Sequence, residues 1–318
     1  MKQKIDYMLL LMWCVCLSAY GQTVEQGKVL FETRKYSEAE KVLNVIPSTN
    51  PLYAEAQYYL GRIAFDKKDY EKAVAYFEAA IKKDARKSEY FNYLGRSSAE
   101  MAVVANIFSK PSWASQARKS WETATALDSK SIEPRLSLID FFSMAPGVMG
   151  GSMEKAKAMA NEVMKLDEAE GHWRLGNLLL SENNTAKAEE EFTKMIKANP
   201  DYVRNLAGYY ADQKKYTKAI ELYEEALDRT PNHYPTLYQY GKTSAISGLK
   251  LDRGEECLKR YLTYSPKYGE PSVAGALMRL GQIHEKKGNK PEAKKNYELA
   301  LKLDTNLKDA KAGLDRIK

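Results

Sequence analysis

With 318 residues, the chain is long enough for two ordinary globular domains or one extended repeat array. Its 44% hydrophobic and 29% charged residues exclude acidic or low-complexity disorder, and its sparse Gly and Pro (18 and 11) argue for an all-helical protein. The formal charge of +7 is mild: it hints at an anionic partner but lacks the concentrated basic charge of most nucleic-acid binders, so no nucleic acid is expected.

The first segment stands apart. Lys2 and Lys4 precede a short apolar run from Met8 to Leu17, and Ala19-Tyr20-Gly21 supplies small residues at −3 and −1. Residues 1–21 therefore read as a signal peptide cleaved before Gln22, giving an exported chain, periplasmic or extracellular, with no transmembrane segment after cleavage. Cys14 and Cys16 follow Trp13 and Val15, whereas a lipoprotein site needs a small residue before the cysteine. Cys257 is then left alone, so no disulfide forms within the mature chain.

Next comes a repeat. Leu60-Gly61, Leu94-Gly95, Leu175-Gly176 and Leu280-Gly281 recur, with Gly27 and Gly241 in the same slot. Gly27, Gly61 and Gly95 are spaced by 34 residues. Ala39, Ala73, Ala188 and Ala293 stand twelve residues after their glycines, and Leu43, Phe77, Phe192 and Tyr297 four further on. Pro51 and Pro200 close two units, and residues 207–231 repeat the scheme with Ala207, Tyr210, Ala219, Tyr223, Ala226 and Pro231. Small residues suit the crossing of two antiparallel helices, aromatics fill the space between hairpins, and Pro cannot continue the second helix.

This pattern resembles the tetratricopeptide repeat (TPR) over roughly residues 23–305. The resemblance implies an all-α, right-handed α-solenoid of about eight TPR-like helical hairpins over residues 22–305. A capping helix at 306–318 follows, where Leu307, Ala310, Leu314 and Ile317 make one apolar stripe.

Two stretches depart from the scheme. After Gly95 the expected Ala is delayed by ten residues to Ala117, with Trp121 following, which predicts longer helices broken at Ser109-Lys110-Pro111. The next unit lacks Leu-Gly and carries the segment from Met144 to Met153. Its Met144, Val148, Met149 and Met153 predict an ordered loop that packs over a hairpin end or meets a partner. A later unit places Gly254 and Leu258 in the Ala and aromatic slots.

No catalytic, metal or cofactor residues are expected. His172, His233 and His284 belong to different repeats, none at metal-ligand spacing from another. Gly147, Gly150 and Gly151 precede a helix without a P-loop ending, and Ser152-Met153-Glu154-Lys155 matches S-x-x-K without its companion motifs. Ser152 is explained as a helix N-cap, which leaves a serine enzyme at this loop as a remote alternative.

In the family that the repeat resembles, first helices line a concave groove where ligands lie, and the slot after the glycine faces it. Here that slot holds Lys28, Arg62 and Arg96, with Phe31, Tyr58, Phe65 and Asn92 as neighbours. The resemblance thus implies a non-catalytic scaffold binding a protein or peptide, acidic in character; an anionic polymer is the alternative. The carboxylate clamp of chaperone adaptors needs Lys and Asn one turn apart, which Lys28 with Val24, Arg62 with Tyr58 and Arg96 with Asn92 do not supply. Replacing Arg62 and Arg96 by Glu is expected to abolish capture and leave stability nearly unchanged, since like charges near one another slightly destabilise the free protein.

Overall fold

The computed structural model describes residues 23–267 and 269–318. The proposed signal peptide lies outside them. Every regular element among the described residues is helical. The chain forms two compact units, the first running to Glu191 and the second starting at Phe192.

In the first unit, helix α1 occupies residues 23–32. There follow α2 (Tyr36–Leu43), α3 (Tyr53–Asp66), α4 (Tyr70–Lys83), α5 (Ser88–Val104) and α6 (Lys110–Leu127). Helices α7 (Glu133–Met144), α8 (Met153–Met164) and α9 (Glu168–Ser181) complete it, and α10 (Thr185–Ala198) carries the chain across the division. The second unit continues with α11 (Val203–Asp212), α12 (Tyr216–Arg229), α13 (Tyr234–Ser247), α14 (Leu251–Tyr261), α15 (Val273–Lys286), α16 (Lys290–Leu303) and α17 (Lys308–Arg316).

The repeat slots have a physical cause. A Cβ added at Gly27 would stand 2.4 Å from Leu43, at Gly61 2.7 Å from Phe77, and at Gly281 2.6 Å from Tyr297. Gly241 stands likewise against Leu258, at 2.3 Å. Each glycine lets the first helix of a hairpin lie directly on the large side chain of the second. Ala39, Ala73, Ala188 and Ala293 are all fully buried. In the unit with Gly254, the Ala slot is tighter still: an added Cβ would meet Ser244 at 2.4 Å.

Side-chain caps start several helices. Asp69 accepts from the Lys72 amide, Asp167 from that of Glu170, and Asn289 from that of Glu292. Proline is a weaker terminator than the pattern suggests. Helix α2 stops at Leu43, well before Pro51. Several second helices end instead on an Asx turn: Asp84 accepts from the Arg86 amide, Asp128 from Lys130 and Asp304 from Asn306, at 2.9–3.1 Å.

The lengthened hairpin is real, with α5 and α6 of 17 and 18 residues against 14 each for α3 and α4. Its break falls at residues 105–109, earlier than Ser109-Lys110-Pro111. There Asn106 Oδ1 accepts the amides of Phe108 and Ser109, while Pro111 sits in the first turn of α6, where no amide is needed.

The segment from Met144 to Met153 is an ordered turn: Gly147–Met149 is a 3-10 turn, and the Ser152 amide donates to the Phe142 carbonyl at 2.7 Å. Its apolar side chains divide, however. Met153 packs on the core of α6–α9, whereas Met144 and Val148 are 82% and 98% exposed, so these two do not pack over the hairpin end. At the other end of the chain, α17 lies over Tyr297, with Gly313 against its ring and Arg316 bonded to Glu285 at 2.7 Å.

Candidate functional site

The first helices α1, α3 and α5 build one surface in the first unit. On α3, Tyr58, Arg62 and Phe65 follow one another at helical spacing, and on α5 so do Asn92 and Arg96. The Arg62 guanidinium carbon lies 4.8 Å from the Phe31 ring centre, 5.6 Å from Tyr58 and 4.3 Å from Tyr93. Arg62 Nη1 donates to the Tyr58 hydroxyl at 2.9 Å. Arg96 lies over Phe65 at 4.9 Å and over the same Tyr93 at 4.8 Å. Both guanidiniums therefore share the Tyr93 ring, which holds two like charges close without a carboxylate between them.

The residues singled out in the sequence separate into roles. Phe31 is buried, belongs to the core of the first hairpins, and supports Arg62 from beneath. Tyr58 and Phe65 are half-buried ring supports. Arg96 is exposed, and Lys28 pairs with Glu25 at 3.8 Å. Arg62 is more deeply held than its slot suggests: its Nε is shielded from solvent without a hydrogen-bond partner, as is Asn92 Oδ1. A Glu at position 62 would lose three ring contacts and the bond to Tyr58, so the geometry predicts a cost in stability for that change in place of neutrality. Burial raises the Tyr58 phenol above its ordinary value, with Arg62 opposing, so it stays a neutral hydroxyl that accepts from Arg62 at physiological pH.

Sequence reasoning missed Tyr93. The signal was present, since Tyr93-Leu94-Gly95 repeats Tyr59-Leu60-Gly61 one period on.

Around these residues lies a cleft of about 670 Å³ between α3, α5 and the turn into α7. Five cations line it (Arg62, Arg86, Lys87, Arg96, Lys130) against three carboxylates (Glu89, Asp128, Glu133); Arg86 is bonded to Asp84, and the other four still outnumber the carboxylates, so the balance favours an anion. The exposed Arg96 keeps an N–H edge open for a bidentate bond to a carboxylate, whereas Arg62, with Nη1 on Tyr58 and Nε shielded, has Nη2 left to offer.

The other sequence candidates serve structure. Ser152 Oγ accepts from the Lys155 amide at 3.3 Å, and Lys155 Nζ turns to the Phe142 ring at 5.7 Å, so the S-x-x-K pair is a helix cap. His172 is buried with Nδ1 2.6 Å from Glu191, and His233 caps α13 through Thr236. Among the described residues, no group of His, Cys, Asp and Glu is placed to hold a metal ion.

Tetratricopeptide-repeat family models match residues 24–88, 158–234 and 274–307. The chain is 37% identical over 111 residues to Heat shock protein STI1 of Saccharomyces cerevisiae, a match covering 33% of this chain and 17% of that protein. It is 25% identical over 271 residues to Tetratricopeptide repeat protein 37 of Xenopus laevis, covering 81% of this chain and 16% of that one. The chain thus spans less than a fifth of the length of these relatives. Among solved structures, the C-terminal part of a TPR repeat-containing protein from Cytophaga hutchinsonii is similar at 16% identity and a TM-score of 0.48. That match covers 92% of this chain and 99% of the other. The family-model matches together cover more than half of the residues, and the chain belongs to the tetratricopeptide-repeat family.

Proposed function

We propose that this protein is a non-catalytic scaffold that binds an acidic segment of a partner protein in the cationic groove of α3 and α5. Tetratricopeptide-repeat proteins are typically protein-binding scaffolds and generally non-catalytic. The observation that carries the reading is the shared seat of Arg62 and Arg96 on Tyr93. Two fixed guanidiniums in a partly enclosed cleft each offer a charged hydrogen bond worth about 1.5–3 kcal/mol. That suffices to select carboxylates over neutral side chains.

The test is selection of peptides from a random library on the immobilised protein, followed by titration. Selected peptides should carry paired Asp or Glu, and Arg62→Leu with Arg96→Glu should abolish their binding while the helical spectrum is kept. Leu at position 62 keeps apolar contact with the rings while removing the charge and the bond to Tyr58. Binding that survives this double change overturns the reading. Displacement of the peptides by heparin or single-stranded DNA, with a steep salt dependence, would favour an anionic polymer instead.

The proposed site of action is outside the cytoplasm, periplasmic or extracellular, on the strength of the pattern in residues 1–21. No helix among the described residues is long and apolar enough to cross a membrane. Intact mass of protein recovered from the cell exterior or envelope should give an N-terminus at Gln22. Retention of residues 1–21 would mean an anchor.

A further inference from the structure

The lengthened α5–α6 hairpin and the Met144–Met153 turn leave an unusual surface. Among the described residues, the large hydrophobic side chains more than 70% exposed are Val103, Val104, Ile107, Phe108, Met144 and Val148. All belong to these two segments. Singly exposed apolar residues are ordinary, but a cluster on adjoining tips is the usual mark of an interaction site.

A cleft of about 610 Å³ opens between the tips, within the range of about 300–1,000 Å³ that encloses ligands. Val103 and Met144 form its rim, and Phe65, Trp121, Phe141 and Met149 are among its walls. Small residues at Ala99, Ala102, Ala114 and Ala117 keep it open. Trp121 is sealed against Gly95 at the helix crossing. The charged groups among the lining residues, Arg96 and Lys110 against Glu100 and Asp140, balance, so this half offers mainly shape and apolar surface, and the excess of positive charge lies in the neighbouring groove.

One residue connects this cleft to the cationic groove. Arg96 lines both, with its guanidinium on Phe65 and Tyr93, and Phe65 lines the apolar side. We infer that the apolar cleft is the second half of one peptide site, receiving a bulky aliphatic or aromatic side chain next in sequence to the acidic residues that meet Arg62 and Arg96. The inference rests on the acidic-peptide reading for the identity of the neighbouring residues. The charge at the junction selects the occupant: an acidic, apolar segment satisfies both halves, whereas an uncharged lipid tail leaves the guanidiniums without a counter-charge.

The test uses the full chain and a displayed library of random dodecapeptides. Selected peptides should pair acidic residues with one large apolar residue at constant spacing. Val103→Ser with Met144→Ser, both at exposed positions, should weaken the selected peptide by about tenfold or more, as expected for losing burial of one such side chain. The same peptide with its apolar residue replaced by Ser should bind wild type and variant alike. Selection of acidic peptides with no fixed apolar position overturns the cleft and leaves the cationic groove standing. Peptides lost on Val103→Ser with Met144→Ser but indifferent to Arg62→Leu with Arg96→Glu support the cleft and overturn the acidic reading. Failure to select any peptide, with the tips instead binding phosphatidylcholine–phosphatidylglycerol vesicles, overturns the inference in favour of a membrane contact.

Discussion

Gly95 lies directly against the indole of Trp121: a methyl added at its α-carbon would stand 2.6 Å from Nε1. The ring is itself buried and cannot withdraw. Gly95→Ala should therefore lower stability by about 1–3 kcal/mol, even though Ala favours a helix by about 1 kcal/mol. Gly208 in α11 is the control, since its nearest neighbour would be the Tyr223 hydroxyl at 3.7 Å, an ordinary contact. Gly208→Ala should raise stability by about 0.5–1 kcal/mol. Urea unfolding of the two variants should show opposite signs; a shared sign would mean that the crossing does not constrain Gly95.

The two groove arginines should differ in what they do for the fold. Arg62 touches three rings and bonds Tyr58, so Arg62→Ala is expected to cost about 1–2 kcal/mol. Arg96 is exposed on two rings, and Arg96→Ala should cost about 0.5–1 kcal/mol. Thermal melts paired with peptide titrations separate the contributions. Equal losses of stability would show that the Phe31 contact and the Tyr58 bond add nothing.

In the second unit, Glu255 predicts a pH dependence. Its burial disfavours the charged form, but bonds from Lys259 at 2.6 Å and Lys287 at 2.8 Å, with His284 nearby, hold its carboxyl down at about 2. A folded-state value below the ordinary 4.5 stabilises the fold at all pH above that value, and this contribution is lost as pH falls from 4.5 towards 2. Discounted for solvent screening of the surface lysines, the contribution is on the order of 2 kcal/mol. Glu255→Gln should remove it at pH 6 and flatten the decline of the urea midpoint between pH 5 and pH 3. An unchanged slope would show that other carboxylates govern acid unfolding.

Cys257 should be silent in the native state. It is fully buried, and burial pushes its thiol up to about 12. Protein lacking residues 1–21 should release no colour from Ellman's reagent at pH 8 until denaturant is added, and then one equivalent. Prompt reaction in the native state would mean that α14 opens easily.

The slots of the repeat could be read from sequence because each is fixed by a contact between two neighbouring helices. Gly61 and Phe77 are a fixed number of residues apart whenever the hairpin is regular, and even Gly95 and Trp121 keep their contact across the insertion. The groove was less legible. The seat of Arg62 takes rings from three helices, Phe31, Tyr58 and Tyr93, and no single-helix period reveals such a convergence. Exposure was the hardest to foresee. Met144 and Met153 have the same side chain in the same turn, yet only Met153 reaches the core, because α8 begins there and turns it towards the neighbouring helices.

The position of the added residues in α5 and α6 has a consequence for how this chain can change. They extend the hairpin beyond the crossing of Gly95 on Trp121: Met101 still packs on the core shared by α3, α4 and α5, but Val103, Val104, Ile107 and Phe108 beyond it stand exposed. In an array coupled only between neighbours, such an outgrowth is a graft point. The tip at 103–109 should be open to trimming, or to exchange for a foreign loop, with the hairpins on either side still folded. It can diverge at the pace of its ligand while the scaffold beneath it stays as it is.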